Sequence, residues 1–284
     1  MRKKFTILLC ILFIVPRMCA WNFWTEDGYP ATSTVHSVQL RTGAEFTKDF
    51  GKGVKLNFGE DLRFDVHNST TGASFSKSYT TLALSYAPIK NLKLDAGYTM
   101  KILGADSTWS AEKKADYNEW LRHRVFFSVT GSYKFERVKV SLRERAMCEM
   151  RTDSVNPDEK AQNAWMLRSK AAVEYTCFAK PLKPYVWVEV VNTLNAPEYQ
   201  RMYKDNNTAN RGMQYINRVR TAVGVVWKID KSNALDFYYR FNYGYDRDIN
   251  INSKYYTAGK ALKVRLTEER SFQHAIGVAY NLDW

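Results

Sequence analysis

The side chains of this chain that could do chemistry are charged residues spaced two positions apart. Arg143 and Arg145 form one such pair, and Arg218 and Arg220 form another. Because successive side chains of a strand point to opposite faces, residues two apart share a face. Charged residues on this face of successive strands recur along the chain and form one candidate network: Arg41, Arg63, Arg143, Arg145, Arg168, Arg218, Arg220 and Arg240 with Glu45, Asp61, Asp65, Glu149, Glu174, Glu189 and Asp236. This network fits either a structural lattice of ion pairs or the lining of a passage that selects anions.

His123 is the second candidate for chemistry. It shares a face with Val125 and Phe127 and follows a long polar connection. We therefore expect it on the outward-facing side of a strand, at the end where the long connections lie. A lipid hydrolase of an outer membrane would place a Ser/His pair at such a rim. The spacing puts no serine or acid beside His123, so lipid hydrolysis stays the alternative function and no catalytic residue is assigned. No metal-ligand spacing and no cofactor motif is present, and we expect neither a metal nor a cofactor.

The last segment of the chain indicates which elements must position these residues. From Ser271 to Trp284 the residues alternate with period two, the less polar face being Phe272, His274, Ile276, Val278, Tyr280, Leu282 and Trp284. A strand that alternates up to a final aromatic residue is typical of the closing strand of an outer-membrane β-barrel. We expect Gly277, Tyr280, Leu282 and Trp284 to form the signal that the barrel-assembly machinery reads.

The first residues predict export. A basic start, an apolar run from Phe5 to Pro16 and a change of composition at Trp21 predict a cleaved signal peptide over residues 1–20 and a single barrel domain over residues 21–284. No later window is apolar over the roughly 20 residues that a spanning helix needs. Removal of residues 1–20 lowers the net charge from +13 to +9. We expect no nucleic-acid partner, because an exported chain without a compact basic and aromatic footprint rarely meets one.

Strands, short turns and longer polar connections alternate from about residue 38 onward. The short turns lie between the strands of five hairpins, and the longer connections lie near 68–76, 102–119, 152–163, 195–212 and 246–270. This asymmetry is typical of barrels with short periplasmic turns and long extracellular loops. The count is eleven strands, and a short strand at Trp21–Thr25 would make it even. We therefore predict an all-β, antiparallel up-and-down transmembrane β-barrel of about twelve strands, with ten as the alternative count.

Alternation alone does not tell which face meets solvent, so a soluble sandwich is the alternative fold. The export signal and two expected belts of aromatic residues favour the barrel: Phe46, Tyr86, Tyr133, Tyr175, Trp227 and Trp284 near the short turns, with Tyr79, Tyr98, Trp120, Trp165, Tyr215 and Tyr243 near the long loops. The charged face then lines the lumen. The ion-pair lattice is the simpler interpretation, because small barrels need packed interiors. The excess of basic residues keeps the anion passage open.

Short motifs in a fixed order add a resemblance: Trp24-Thr25, Leu62-Arg63-Phe64-Asp65, Tyr86-Ala87-Pro88 with Leu92, Leu94 and Gly97-Tyr98, His123-Arg124, Arg143 with Arg145, Pro184-Tyr185 with Glu189, Arg218 with Arg220, and the closing strand. These motifs resemble a family of uncharacterised outer-membrane barrels that is catalogued as a domain of unknown function, number two-four-nine-zero. The resemblance implies a membrane barrel and carries no known catalytic residues. The expected location is the outer membrane of a Gram-negative bacterium, and the expected partners are its lipids, lipopolysaccharide, the barrel-assembly machinery and a small anionic solute.

Overall fold

The computed structural model describes residues 31–69, 72–104, 121–150, 163–177, 181–194, 215–251 and 264–284. These ranges contain eleven strands: β1 (Ala31–Gly51), β2 (Val54–Asn68), β3 (Ser74–Ile89), β4 (Leu92–Leu103), β5 (Leu121–Phe135), β6 (Val138–Met150), β7 (Ala164–Tyr175), β8 (Leu182–Thr193), β9 (Tyr215–Lys228), β10 (Asn233–Ile251) and β11 (Val264–Asp283). No helix in these ranges is long and apolar enough to cross a membrane. The predicted signal peptide over residues 1–20 lies outside the described residues.

The strands form one closed barrel in which each strand pairs with its neighbours in sequence. The pairs from β1–β2 to β10–β11 are antiparallel, and the barrel closes by a parallel pairing of β1 with β11. In this seam Ser37 faces Gln273 and Thr47 faces Asp283. A parallel closing pair follows from the odd number of strands, because the first and last strands of an eleven-strand meander run in the same direction.

The predicted fold class is confirmed, and two of its details differ. The described strands number eleven rather than about twelve, and the closing pair is parallel rather than antiparallel. The expected twelfth strand at Trp21–Thr25 lies outside the described residues. β1 pairs with β2 along one edge and with β11 along the other, so eleven strands are enough to close the barrel.

The short connections all lie at one end of the barrel, as predicted. The β1–β2 turn has left-handed backbone at Gly51, Lys52 and Gly53, with φ of 78°, 50° and 80°. Gly53 also accepts a hydrogen bond on its carbonyl from the Ala87 amide, at a close approach that leaves no room for a Cβ. At the β9–β10 turn, Asp230 accepts hydrogen bonds from the Asn233 side chain and from backbone amides of the turn, which lowers the pKa of its carboxyl.

The faces of the strands are arranged inside out relative to a soluble protein. Large apolar residues are exposed on the outer surface, among them Leu40 (51 %), Leu84 (52 %) and Ile276 (59 %). The buried polar residues lie inside and include Gln39 and Glu189, each 1 % exposed. An apolar exterior and a polar interior are the pattern of a transmembrane barrel. The closed topology and these faces rule out the soluble sandwich.

The aromatic belt near the short turns forms as expected, with Phe46, Tyr86, Tyr133, Tyr175, Trp227 and Trp284 all exposed. At the other end Tyr98 and Trp165 are exposed. Tyr79 does not belong to that belt, because it has the phase of the inner face and its ring contacts arginines inside the barrel. Trp120 lies outside the described residues, and so does the side chain of Tyr215.

Three inward-facing glycines accommodate aromatic rings from the neighbouring strand. Gly97 lies opposite Phe126, Gly224 opposite Tyr185, and Gly277 opposite Tyr238. A Cβ on any of these glycines would collide with the ring across from it. The glycines therefore leave room for these rings against the neighbouring strand.

Candidate functional site

The centre of the charged wall is the carboxylate of Glu189 on β8. Arg143 Nη2 lies 3.0 Å from its Oε2, Arg220 Nη1 lies 2.9 Å from its Oε1, and Arg168 Nη2 contacts both oxygens at 2.8 and 2.9 Å. The three arginines come from β6, β7 and β9, so the carboxylate joins four strands. We call Glu189 with Arg143, Arg168 and Arg220 the Glu189 cage.

The strand register explains why these residues meet. Arg143 lies opposite Lys170, Lys170 opposite Glu189, and Glu189 opposite Arg220. The row therefore presents basic residues on three strands and an acid on the fourth. Arg168 lies two residues from Lys170 on the same face of β7 and reaches the same carboxylate. The predicted members Arg143, Arg168, Glu189 and Arg220 are thus brought together.

Additional cations surround the Glu189 cage. Arg145 donates to Ser128 Oγ at 2.8 Å and lies over the Phe126 ring. Lys170 lies 4.3 Å from the Trp187 ring centroid, and Arg240 lies 5.1 Å from the same centroid. Within the described ranges, none of these three cations has a carboxylate at ion-pair distance. Arg218, on the same face of β9 as Arg220, is half-buried.

Several buried guanidinium nitrogens carry no hydrogen bond in the part of the chain that the structure describes. They include the Nε atoms of Arg143, Arg168 and Arg220, and Nη1 of Arg41. Buried donors are normally satisfied, because an unsatisfied one loses its bond to water and gains nothing in return. All three arginines of the Glu189 cage thus retain a donor that an additional acceptor could use.

A second caged carboxylate lies closer to the long connections. Glu149, on β6, accepts from Arg122 at 2.9 Å and from Arg124 Nε at 2.5 Å, and Lys101 Nζ lies 3.8 Å away. The sequence predicted Glu149 in the network but not these three partners. Arg122 and Arg124 are spaced two apart in line with the inward-facing Phe126 and Ser128. This spacing would have identified them as lumen residues.

Arg63 belongs to a third group on the opposite wall. Its Nε and Nη2 donate to one oxygen of Asp61 at 3.0 and 2.6 Å, and its guanidinium lies 4.2 Å from the Tyr79 ring centroid. Arg124 lies over the same ring at 5.2 Å. The Tyr79 ring therefore lies between two arginines, one from the Asp61 pair and one from the Glu149 cage.

Arg41 contacts amide oxygens instead of an acid. It donates to Gln39 Oε1 at 2.8 Å and to Gln273 Oε1 at 2.9 Å, and Gln39 in turn donates to Asp65 at 2.6 Å. Asn242 donates to the same Gln273 oxygen at 2.7 Å. These side chains link β2, β1, β11 and β10 across the parallel seam.

Two predicted network acids lie apart from the arginines. Glu174 is 3.6 Å from Lys183 near the short turn between β7 and β8. Asp236 accepts from the Tyr185 hydroxyl at 2.9 and 3.0 Å on its two oxygens. Neither acid has an arginine partner in the described ranges, so the arginines around Glu189 have fewer acids near them than the sequence predicted.

Charge is distributed unequally between the two ends of the lumen. Near the short turns three lysines each lie beside one acid, in the pairs Lys55–Asp49, Lys93–Asp95 and Lys183–Glu174, at 3.1, 3.0 and 3.6 Å. Around Glu189 lie six basic residues: Arg143, Arg145, Arg168, Lys170, Arg220 and Arg240. Within the described ranges Glu189 is the one carboxylate at ion-pair distance from any of them. A group of inward-facing basic residues that exceeds its acids therefore lies on β6–β10.

His123 lies on the outer face near the long connections, as predicted. Its Nδ1 is hydrogen-bonded to the Tyr98 hydroxyl at 2.5 Å, and the two rings stack. No serine hydroxyl or carboxylate in the described ranges is bonded to it. The groups that a Ser/His hydrolase requires are thus not assembled by the described residues.

The residues of the predicted assembly signal lie at the end of β11, in the seam. Gly277 lies opposite Arg41, Tyr280 opposite Ala44, and Leu282 opposite Phe46. The Trp284 amide donates to the Thr47 carbonyl at 2.7 Å, and its ring is exposed beneath the Lys48 ammonium. Whether the assembly machinery reads these residues stays a prediction.

Fold and site together define the class of this protein: a closed transmembrane β-barrel with an arginine-rich lumen. The sequence model of the family described as "Protein of unknown function (DUF2490)" matches residues 38–252, and the chain belongs to that family. A search of curated proteins finds no match.

Solved structures similar to this chain include two porins. One is described as "NanC porin structure in rhombohedral crystal form", with 8 % identity, 72 % of this chain and 87 % of that chain covered, and a TM-score of 0.38. The other is the "Anion-selective porin from Comamonas acidovorans", with 11 % identity, 84 % of this chain and 58 % of that chain covered, and a TM-score of 0.34. At these TM-scores neither likeness bears on the lumen chemistry of this chain.

Proposed function

We propose that this chain is an outer-membrane barrel whose lumen binds small anionic solutes and passes them across the membrane. The observation that carries this proposal is the excess of positive charge around Glu189. Arg145, Lys170 and Arg240 lie beside the Glu189 cage without a carboxylate at ion-pair distance in the described ranges. A mobile anion is the counter-charge that such a wall attracts.

The physical reason is the low dielectric constant of a barrel wall. Fixed charges in a concave, poorly polarisable site act over several ångströms and raise the local concentration of the opposite ion. Rings and clusters of Arg and Lys supply anion selectivity in pores by this means. A pure ion-pair lattice would balance basic and acidic residues locally, as the lysine pairs near the short turns do.

The outer-membrane location is supported by the exposed apolar belt and by the predicted export signal. Only closed barrels and helices satisfy all backbone groups in hydrocarbon, and this chain forms the closed barrel. We propose that the lipid-facing surface contacts membrane lipids and lipopolysaccharide, and that assembly requires the barrel-insertion machinery. The long connections then face the cell exterior.

The test of anion binding is calorimetric titration of the purified, detergent-solubilised chain with inorganic phosphate at low chloride. Replacement of either Arg145 or Arg240 by Gln should weaken phosphate binding about 10- to 100-fold, because one lost charge-assisted hydrogen bond is worth roughly 1.5–3 kcal/mol. Lys93→Gln, at the short-turn end, is the matched control and should bind phosphate as the wild type does.

The competing interpretation predicts a different result. If the charges form only a structural lattice, the wild type will not bind phosphate, and the Arg145→Gln and Arg240→Gln changes will act on stability alone. That outcome would refute the proposed function.

A further inference from the structure

We infer that Glu189 is a built-in competitor of the solute: its carboxylate occupies the guanidinium cage that a solute carboxylate or phosphate group would otherwise fill. This inference rests on the proposed function and specifies what regulates affinity at the same site. The side chain of Glu189 is 2 % exposed, so its carboxylate occupies the cage and not the solvent.

The contacts of Glu189 are those that a small anion would make. Arg143, Arg168 and Arg220 approach the carboxylate from three strands, at 2.8–3.0 Å. Carboxylate and phosphate oxygens are the acceptors that guanidinium groups prefer, and they compete for the same donors. The cage is thus an anion site whose occupant is attached to β8.

The cage offers an anion more donors than Glu189 uses. The Nε atoms of Arg143, Arg168 and Arg220 are buried and make no hydrogen bond in the described part of the chain. Arg145 and Lys170, on the same strands as Arg143 and Arg168, have no carboxylate at ion-pair distance there. An entering anion meets Arg145 and Lys170, which are half-buried, and then competes with Glu189 for the cage, where the buried Nε donors become available to it.

The attached carboxylate explains how a strongly basic wall can release its solute. A pore must bind its solute well enough to admit it and weakly enough to let it leave. Without Glu189, the six basic residues around it would hold an anion with no attached carboxylate to compete. With Glu189 present, the solute exchanges with a carboxylate that returns to the cage when the solute departs.

The test is Glu189→Gln in the full chain, which keeps the shape of the side chain and removes its charge. Titration with inorganic phosphate should show at least about tenfold tighter binding than in the wild type, and phosphate should block chloride current across a planar bilayer at correspondingly lower concentration. Glu174→Gln, which removes an acid far from the cage, is the matched control and should leave phosphate binding unchanged.

Glu189→Asp provides a second readout in case Glu189→Gln does not fold. Its carboxylate is one methylene shorter and retreats from the cage, so phosphate affinity should rise a few-fold. Wild-type phosphate affinity in the folded Glu189 variants would overturn the inference while the proposed function stands, provided that the wild type binds phosphate. If neither the wild type nor any variant binds phosphate, the proposed function fails and the inference fails with it.

Discussion

At the scale of single residues, Glu189 and Arg145 differ in what surrounds them. Glu189 is bonded to three arginines, whereas Arg145 donates to a serine and lies over a phenyl ring. When a buried carboxylate loses an arginine partner, its charge stays buried with less compensation, which destabilises the fold. Neutralising a basic residue that has other basic residues around it removes little favourable interaction. The two kinds of residue should therefore respond differently to loss of charge.

Arg168→Gln should lower the free energy of unfolding by about 1–3 kcal/mol, because it removes two contacts to a buried carboxylate. Arg145→Gln is the matched comparison and should lower it by less than about 1 kcal/mol, since no carboxylate loses a partner. Urea unfolding in detergent, followed by tryptophan fluorescence, measures both. Equal losses would show that Arg145 belongs to the ion-pair lattice.

At the scale of strands, the parallel seam between β1 and β11 is held by an inward network as well as by its backbone ladder. Gln39 connects Asp65 on β2 with Arg41 on β1, and Arg41 reaches Gln273 on β11. Arg41 is 3 % exposed and Asp65 9 %, so both charges stay away from water when the Gln39 amide is removed.

Gln39→Leu should destabilise the barrel by about 2–4 kcal/mol, because it leaves Arg41 and Asp65 buried with fewer partners. Thr47→Val, lower on β1, removes one side-chain bond to Asn57 and should cost less than about 1 kcal/mol. The temperature at which the folded, compact gel band disappears compares the two variants. A Gln39→Leu barrel as heat-stable as the wild type would contradict the role of this network.

The hairpins and the inner and outer faces could be predicted from the sequence, because a strand repeats every two residues. Tyr79 shows the limit of that reasoning. It alternates with Lys77 and Thr81 and so faces inward, whereas its position near a long loop suggested the outer belt.

The parallel seam could not be predicted, because bacterial barrels usually have an even number of strands. The partners of Glu189 depend on the stagger between strands, and Arg143 precedes it by 46 positions.

At the scale of the whole molecule, the barrel has an apolar outside, a positive wall on β6–β10 and three lysine–acid pairs near the short turns. This distribution gives the lumen a net positive field that no single pair accounts for. A structural lattice would leave the interior closed or without preference between ions. The ion preference of the intact barrel therefore distinguishes these two functions more directly than any substitution does.

The decisive measurement is the zero-current potential of the wild-type chain in a planar bilayer that separates two potassium chloride solutions of different concentration. We expect stepwise conductance and a potential whose sign shows that chloride crosses more readily than potassium, because the fixed charges around Glu189 concentrate anions. Cation preference, or a membrane that stays non-conducting although the folded protein is inserted, would contradict the proposal that anions pass through this lumen.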